Sequence, residues 1–152
     1  MNQTVDFSFV AMEYWGLILN RTYTVFVTHD FICGAKVRGV LAAADSRSGT
    51  VPIQGDLHDP ESYVKPEWLA RYQGIDVTSK EFLAIDKANF QIRRDDIAHV
   101  AYHPKKKWGM GPFPHTGRMV LHLRSGKKRE LIPLGDQDGY LIRGKLISQS
   151  GT

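Results

Sequence analysis

Two apolar alternations of opposite parity constrain this chain more than anything else in it. Ala98, Val100 and Tyr102 alternate with His99, Ala101 and His103, and Met119, Leu121 and Leu123 alternate with Val120, His122 and Arg124. Side chains on a strand point to alternate faces, so each set reads as a half-buried β-strand and both must face one core. Opposed residues of an antiparallel pair share a face, so even-numbered apolar positions must sit opposite odd-numbered ones. Pairing Tyr102 with Met119, Val100 with Leu121 and Ala98 with Leu123 meets that demand, and a one-residue slip would expose one set. The same pairing puts His99 opposite His122 and His103 opposite Arg118 on the other face, with Arg124 nearby.

The next turn, "SGKK", places Gly126 at the first central position of a II′ hairpin. That register would put Ile132 and Leu134 on the same core face. The expectation is a three-strand meander at about 97–103, 118–124 and 129–134, within a region spanning 90–134. Pro133 suggests that its last strand is an edge, which leaves room for homo-oligomerisation. In "GDQDGYLIRGKLI", Asp136 is a candidate N-cap and Tyr140, Leu141, Leu146 and Ile147 are the apolar positions. A closing C-terminal helix over 135–148 follows, weakened by Gly139 and Gly144.

The first part of the chain, 1–44, reads as strands: "VDFSFV", "YWGLIL", "YTVFV" and, after a turn at "THD", "FICGAKV" with Gly34 a candidate bulge. Residues 42–56 lose periodicity and gain Gly, Pro and Ser, as a loop does. Within 45–89 the pattern turns helical. Asp59 and Pro60 suit an N-cap and first helical position, Pro66 could begin a second turn carrying Trp68, Leu69 and Tyr72, and Gly74 is a plausible stop. "TSKE" is a capping-box pattern of Thr78 with Glu81 ahead of Phe82, Leu83 and Ile85.

At 152 residues the chain is most simply one domain, and its 42% hydrophobic and 24% charged residues suit a folded protein rather than a disordered one. No apolar run approaches the roughly 18 residues a membrane helix needs, so the chain is not expected to be transmembrane. The N-terminus shows no basic segment leading into an apolar core, as a signal peptide would. Cys33 is the sole cysteine and sits in an apolar alternation, so it reads as a small buried hydrophobe, in keeping with a cytoplasmic location. The net charge of +4 leans mildly towards anionic partners.

Early strands, a three-strand meander and one C-terminal helix resemble the pleckstrin-homology-like superfold, including GRAM and bacterial PH-like domains. "YTVFVTHDFICGAKV" looks like the paired early strands of a GRAM-type domain, and "IRRDDIAHVAY…GRMVLHLRSGKKRELIPL" like its later meander. The resemblance covers about two-thirds of the chain, without 45–89. It implies a mainly β (α+β) fold, a partly open β-barrel of antiparallel strands with a helical insert and a C-terminal helix. It also implies a binding scaffold. Phosphoinositide-binding PH domains typically carry their basic residues after the first strand, whereas here the lysines come late. The C-terminal helix lacks the usual tryptophan, with Tyr140 the nearest aromatic. The fold carries over and no lipid-binding residues do.

The late lysines lie in "HPKKKWGMGPFPHTGR", a connection far longer than the roughly two to five residues of an ordinary hairpin. Lys105, Lys106 and Lys107 beside Trp108 combine charge with a stacking platform, with His115 and Arg118 at the far end. That pairing suits a phosphate next to a base, or a phospholipid headgroup. The plainer reading is a solvated loop with Trp108 and Phe113 folded onto the core. "GMGPFPHTG" is no Walker loop. On the polar face, His99, His103, His122 and Arg124 could hold a metal, form a basic face sensitive to pH, or simply meet solvent. Asp95/Asp96 and Asp136/Asp138 suit turns and caps, and no catalytic motif is present.

The expectation is therefore a non-enzymatic binding module, with no cofactor and no metal, that takes a partner protein or anionic ligand through loop 103–118. A nucleic-acid-binding domain using the same loop is the alternative, and a metal-dependent enzyme built on His99, His103, His115 and His122 the third reading.

Overall fold

The structure is a computed structural model and describes residues 4–14, 19–39, 56–105 and 113–147. Strands β1 (Val5–Tyr14), β2 (Asn20–Thr28), β3 (Phe31–Arg38), β4 (Phe90–Arg93), β5 (Ile97–His103), β6 (Arg118–Leu123) and β7 (Lys128–Pro133) form one antiparallel sheet. Its order is β4-β3-β2-β1-β7-β6-β5, so β1 joins β7 while β4 and β5 are its two edges. With a few short helices and the C-terminal helix α3 (Gly139–Ile147), the fold is mainly β, as expected. Among the described residues no helix is long and apolar enough to cross a membrane.

Alternation along the strands builds a core on each face. Phe9, Ala11, Tyr23, Val25, Val100, Met119, Leu121 and Leu131 pack on one face, closed by Ile142 and Leu146 of α3. Val10, Met12, Cys33, Ala35, Val37, Ile132 and Leu134 pack on the other, beneath Tyr63, Tyr72, Val77 and Phe82 of the insert. The insert's helices α1 (Pro66–Leu69) and α2 (Lys80–Ile85) span four and six residues, too short to persist alone. Burial of side chains such as Tyr63 and Phe82, both fully covered, contributes roughly 2 kcal/mol each and holds the insert down.

The β5–β6 register is the predicted one from His103 opposite Arg118 to His99 opposite His122. A bulge at Ala98 then sets Ile97, not Ala98, opposite Leu123. The β6–β7 turn differs by a residue. Gly126 N–H donates to Leu123 O (2.9 Å) and Leu123 N–H to Lys127 O (2.8 Å), with Gly126 at φ +92°. This is a three-residue loop ending in a left-handed glycine rather than a two-residue II′ turn. Met119 therefore faces Leu131, and Ile132 and Leu134 turn to the insert face. Gly34 forms no bulge: it pairs regularly with Val25 and Phe90, and a Cβ there would lie 2.0 Å from the Phe90 ring. Pro133 lies in an interior strand, opposite Ala11 of β1, so it marks no edge. β4 is a strand that the periodicity did not reveal. Of "YWGLIL", Tyr14 ends β1, and 15–18 lie outside the described residues.

Past Pro133 the Gln137 amide stands in for a strand, its Oε1 accepting from Val10 N (2.9 Å) and its Nε2 donating to Val10 O (2.6 Å). Asp138, not Asp136, caps α3 by accepting from Tyr140 and Leu141 N–H, while Asp136 pairs with His58. Ser79 rather than Thr78 caps α2, accepting from Phe82 N, while Thr78 bonds Asp76. Asp59 caps its turn as expected. Buried Arg94 donates to Thr28 O (3.0 Å), Lys145 O (3.0 Å) and Leu146 O (3.1 Å). It thereby satisfies carbonyls that the last turn of α3 leaves open.

Candidate functional site

The outer face of β5–β6–β7 carries the residues that the helical insert does not cover. The register lays them out in rows, His99–His122–Lys128, then Ala101–Val120–Glu130, then His103–Arg118. Lys128 and Glu130 reach this face only because of the three-residue β6–β7 loop. A two-residue turn would have pointed both at the core.

The imidazoles of His99 and His122 stack with ring centroids 4.1 Å apart and planes 12° from parallel. Partial burial, then the charges of His99, Lys128 and His103, lower the pKa of the His122 imidazole below its ordinary value. Arg118 pairs with Glu130 at 3.3 Å, both about one-third exposed. His103, Arg118, His122 and Lys128, with Glu13 and Glu130, border a groove of about 500 Å³. At its β1 side Glu13 accepts from Arg129 Nε (2.7 Å) and Nη2 (3.0 Å) and from Arg21 Nε (3.3 Å). The Arg129 guanidinium lies 3.7 Å from the centroid of Phe90. Burial first, then the Glu13 charge, raises the pKa of the Tyr23 hydroxyl.

The predicted residues divide. His103, Arg118 and His122 come together in the groove, with His99 stacked on its border and Lys105 exposed two residues beyond His103. Lys106, Lys107 and Trp108 lie outside the described residues. His115 is buried, bridged to Leu134 and with Nδ1 3.2 Å from Phe113 O, so it packs the end of the connection rather than meeting a ligand in the groove. Arg124 donates from Nε to Asp95 O (2.8 Å) and fastens the hairpin to the turn before β5. His99 and His103 are four residues apart on one strand, roughly 13 Å, so one ion cannot take both. Among the described residues no group of three or more His, Cys, Asp or Glu is placed to hold a metal. Cys33 is fully buried, and its thiol is pushed up to about 12 by burial and then by the Asp76 charge.

Sequence reading missed a second cluster. The insert docks on β3 through Lys65 N to Val37 O (3.2 Å), Tyr72 Oη to Lys36 O (2.9 Å) and Arg71 Nη2 to Lys36 O (3.0 Å). Those bonds gather Lys36, Lys65 and Arg71 around Trp68, with Nζ, Nζ and Cζ lying 5.5, 5.8 and 4.8 Å from its ring centroid. No local spacing signals this, because Lys36 is far from the other three in sequence.

No family model matches the chain, and no curated protein matches it. Among solved structures it is similar to the C-terminal domain of an unknown protein from Leishmania infantum, at 12% identity and a TM-score of 0.50, over 97% of this chain and 84% of that one. The likeness concerns the fold alone.

Proposed function

We propose that the chain is a non-enzymatic, PH-like binding module of the cytoplasm that takes an anionic group in the groove on the outer face of β5–β7. The strand order supports the PH-like reading: successive strands are neighbours except at the β4/β5 break, β1 meets β7, and one C-terminal helix closes a core. The observation that carries the binding reading is the groove's charge balance. Glu13 and Glu130 are occupied by Arg129 and Arg118, whereas Lys128, His103 and His122 have no carboxylate partner among the described residues. Such a surface attracts a phosphate or carboxylate, from a small ligand or from an acidic segment of a partner protein. Loop 103–118 meets the groove at His103 and Arg118, and Lys105 adds charge beside His103.

Titration calorimetry with tripolyphosphate at low salt tests the reading. The expected result is saturable binding that Lys128→Ala weakens several-fold and Arg118→Gln/Lys128→Ala removes. Unchanged binding in the double variant, or none by the wild type, would sink it. Comparing Lys105→Ala/Lys106→Ala/Lys107→Ala then separates the loop's share from the groove's.

A further inference from the structure

The Trp68 cluster differs from an ordinary salt-bridged surface. Three cations lie within 6 Å of one half-buried indole. One acid pairs with the cluster, Asp86 with Arg71 at 3.4 Å, while the charge of Glu67 acts on Arg38 outside it. Lys36 and Lys65 are left with no carboxylate partner among the described residues, their ammonium groups held only over the ring. Each such contact is a weak attraction at an exposed site, set against the mutual repulsion of like charges. The folded protein thus keeps the two lysine charges on an aromatic surface with no carboxylate paired to either among the described residues.

We propose that Trp68, Lys36, Lys65 and Arg71 form a binding site for single-stranded nucleic acid. In this site Lys36 and Lys65 turn from the ring to meet phosphates, which frees the indole for a base to stack on, while Arg71 adds a fixed charge beside it. Arg71 is suited to the role because its Nη2 is already fixed by Lys36 O (3.0 Å) and Tyr72 Oη (3.3 Å), so little freedom is lost on binding. Gly39 lies alongside, where a Cβ would make ordinary contact with the Trp68 ring at 3.8 Å. A duplex fits less well, since α1 spans only four residues and cannot lie along a major groove. An anionic membrane fits less well too. Interfacial insertion needs a protruding apolar face, and Trp68 is half-buried and ringed by cations.

The test is fluorescence anisotropy of labelled oligothymidylate over a salt series, using the full chain and variants whose thermal melts match it. Lys36→Ala/Lys65→Ala is expected to weaken binding at least tenfold and to lower the salt slope by about 1.4. Trp68→Leu should weaken binding several-fold with the slope unchanged, and Arg118→Gln/Lys128→Ala should weaken it far less than Lys36→Ala/Lys65→Ala does. Oligothymidylate affinity unmoved by Lys36→Ala/Lys65→Ala, or no binding at low salt, would overturn the proposal. So would retention on phosphatidylserine vesicles that depends on Lys36 and Lys65 without oligonucleotide binding. Loss of oligonucleotide binding only in Arg118→Gln/Lys128→Ala would overturn this site and leave the groove reading in place.

Discussion

Two clusters of cations rest on aromatic rings in this protein, and they differ in one group. Arg21 and Arg129 gather on Tyr23, and Arg129 also covers Phe90, around the buried Glu13 carboxylate. Lys36, Lys65 and Arg71 gather on Trp68 with a single ion pair to the described residues, Arg71 to Asp86. In the first, charge is taken out of water and must be matched, so geometry and stability depend on every member. In the second, water still screens the lysines, so the fold depends on them little and they stay available to something outside the molecule.

The largest effect should come from unmatching the buried cluster. Glu13→Ala would take from Arg129 the carboxylate that accepts from its Nε and Nη2, and from Arg21 and the Tyr23 hydroxyl a shared acceptor, although Tyr23 keeps Ala88 O (2.8 Å). A loss of about 3 kcal/mol is expected in urea denaturation. A loss below about 1 kcal/mol would mean that the carboxylate is not what holds the cluster. Arg129→Met keeps cover over Phe90 and leaves Glu13 with Arg21, so a smaller loss, about 2 kcal/mol, should follow. Lys36→Ala/Lys65→Ala should change stability by less than about 1 kcal/mol in either direction, because two cation–π contacts and a like-charge repulsion disappear together. A cost equal to that of Glu13→Ala would erase the distinction between the two clusters.

The smallest effect concerns acid. His122 has a folded-state pKa below its ordinary value of about 6.5, so the unfolded chain binds its proton first as pH falls. The contribution is therefore present above about pH 6.5 and is lost as pH drops through the folded value. His122→Gln should narrow the gap between melting temperatures at pH 7.5 and pH 5.5. An unaltered gap would show that the stacked pair does not sense protons.

Much of this was legible in local sequence. Alternation at 98–102 and 119–123, together with a symmetric connection, is enough to set His99 against His122, because parity forbids a one-residue slip. The next strand was misread for a reason just as local. A glycine after serine suits both a two-residue and a three-residue turn, and the choice decides whether Lys128 and Glu130 face the groove or the core. The Trp68 cluster could not be read at all. It exists because the insert folds back across β3, and nothing near Lys36 announces Lys65 or Arg71. Gly34 misled in a similar way, since the Phe90 ring that needs its missing side chain belongs to a strand far along the chain.

The junction of β1 with β7, completed by the Gln137 amide, has a consequence for how the chain is made. While a ribosome is still producing the insert, β1 can pair with β2 but has nothing on its other side, so Phe9, Ala11 and Met12 border an open row of backbone donors and acceptors. That row closes only when residues 131–137 emerge, nearly the whole chain later. Contacts so distant in sequence form slowly, and an open strand edge of this kind is a template for pairing with another chain. Any truncation before Leu131 should therefore be lost to aggregation rather than persist as a smaller folded unit, which sedimentation of such truncations would reveal.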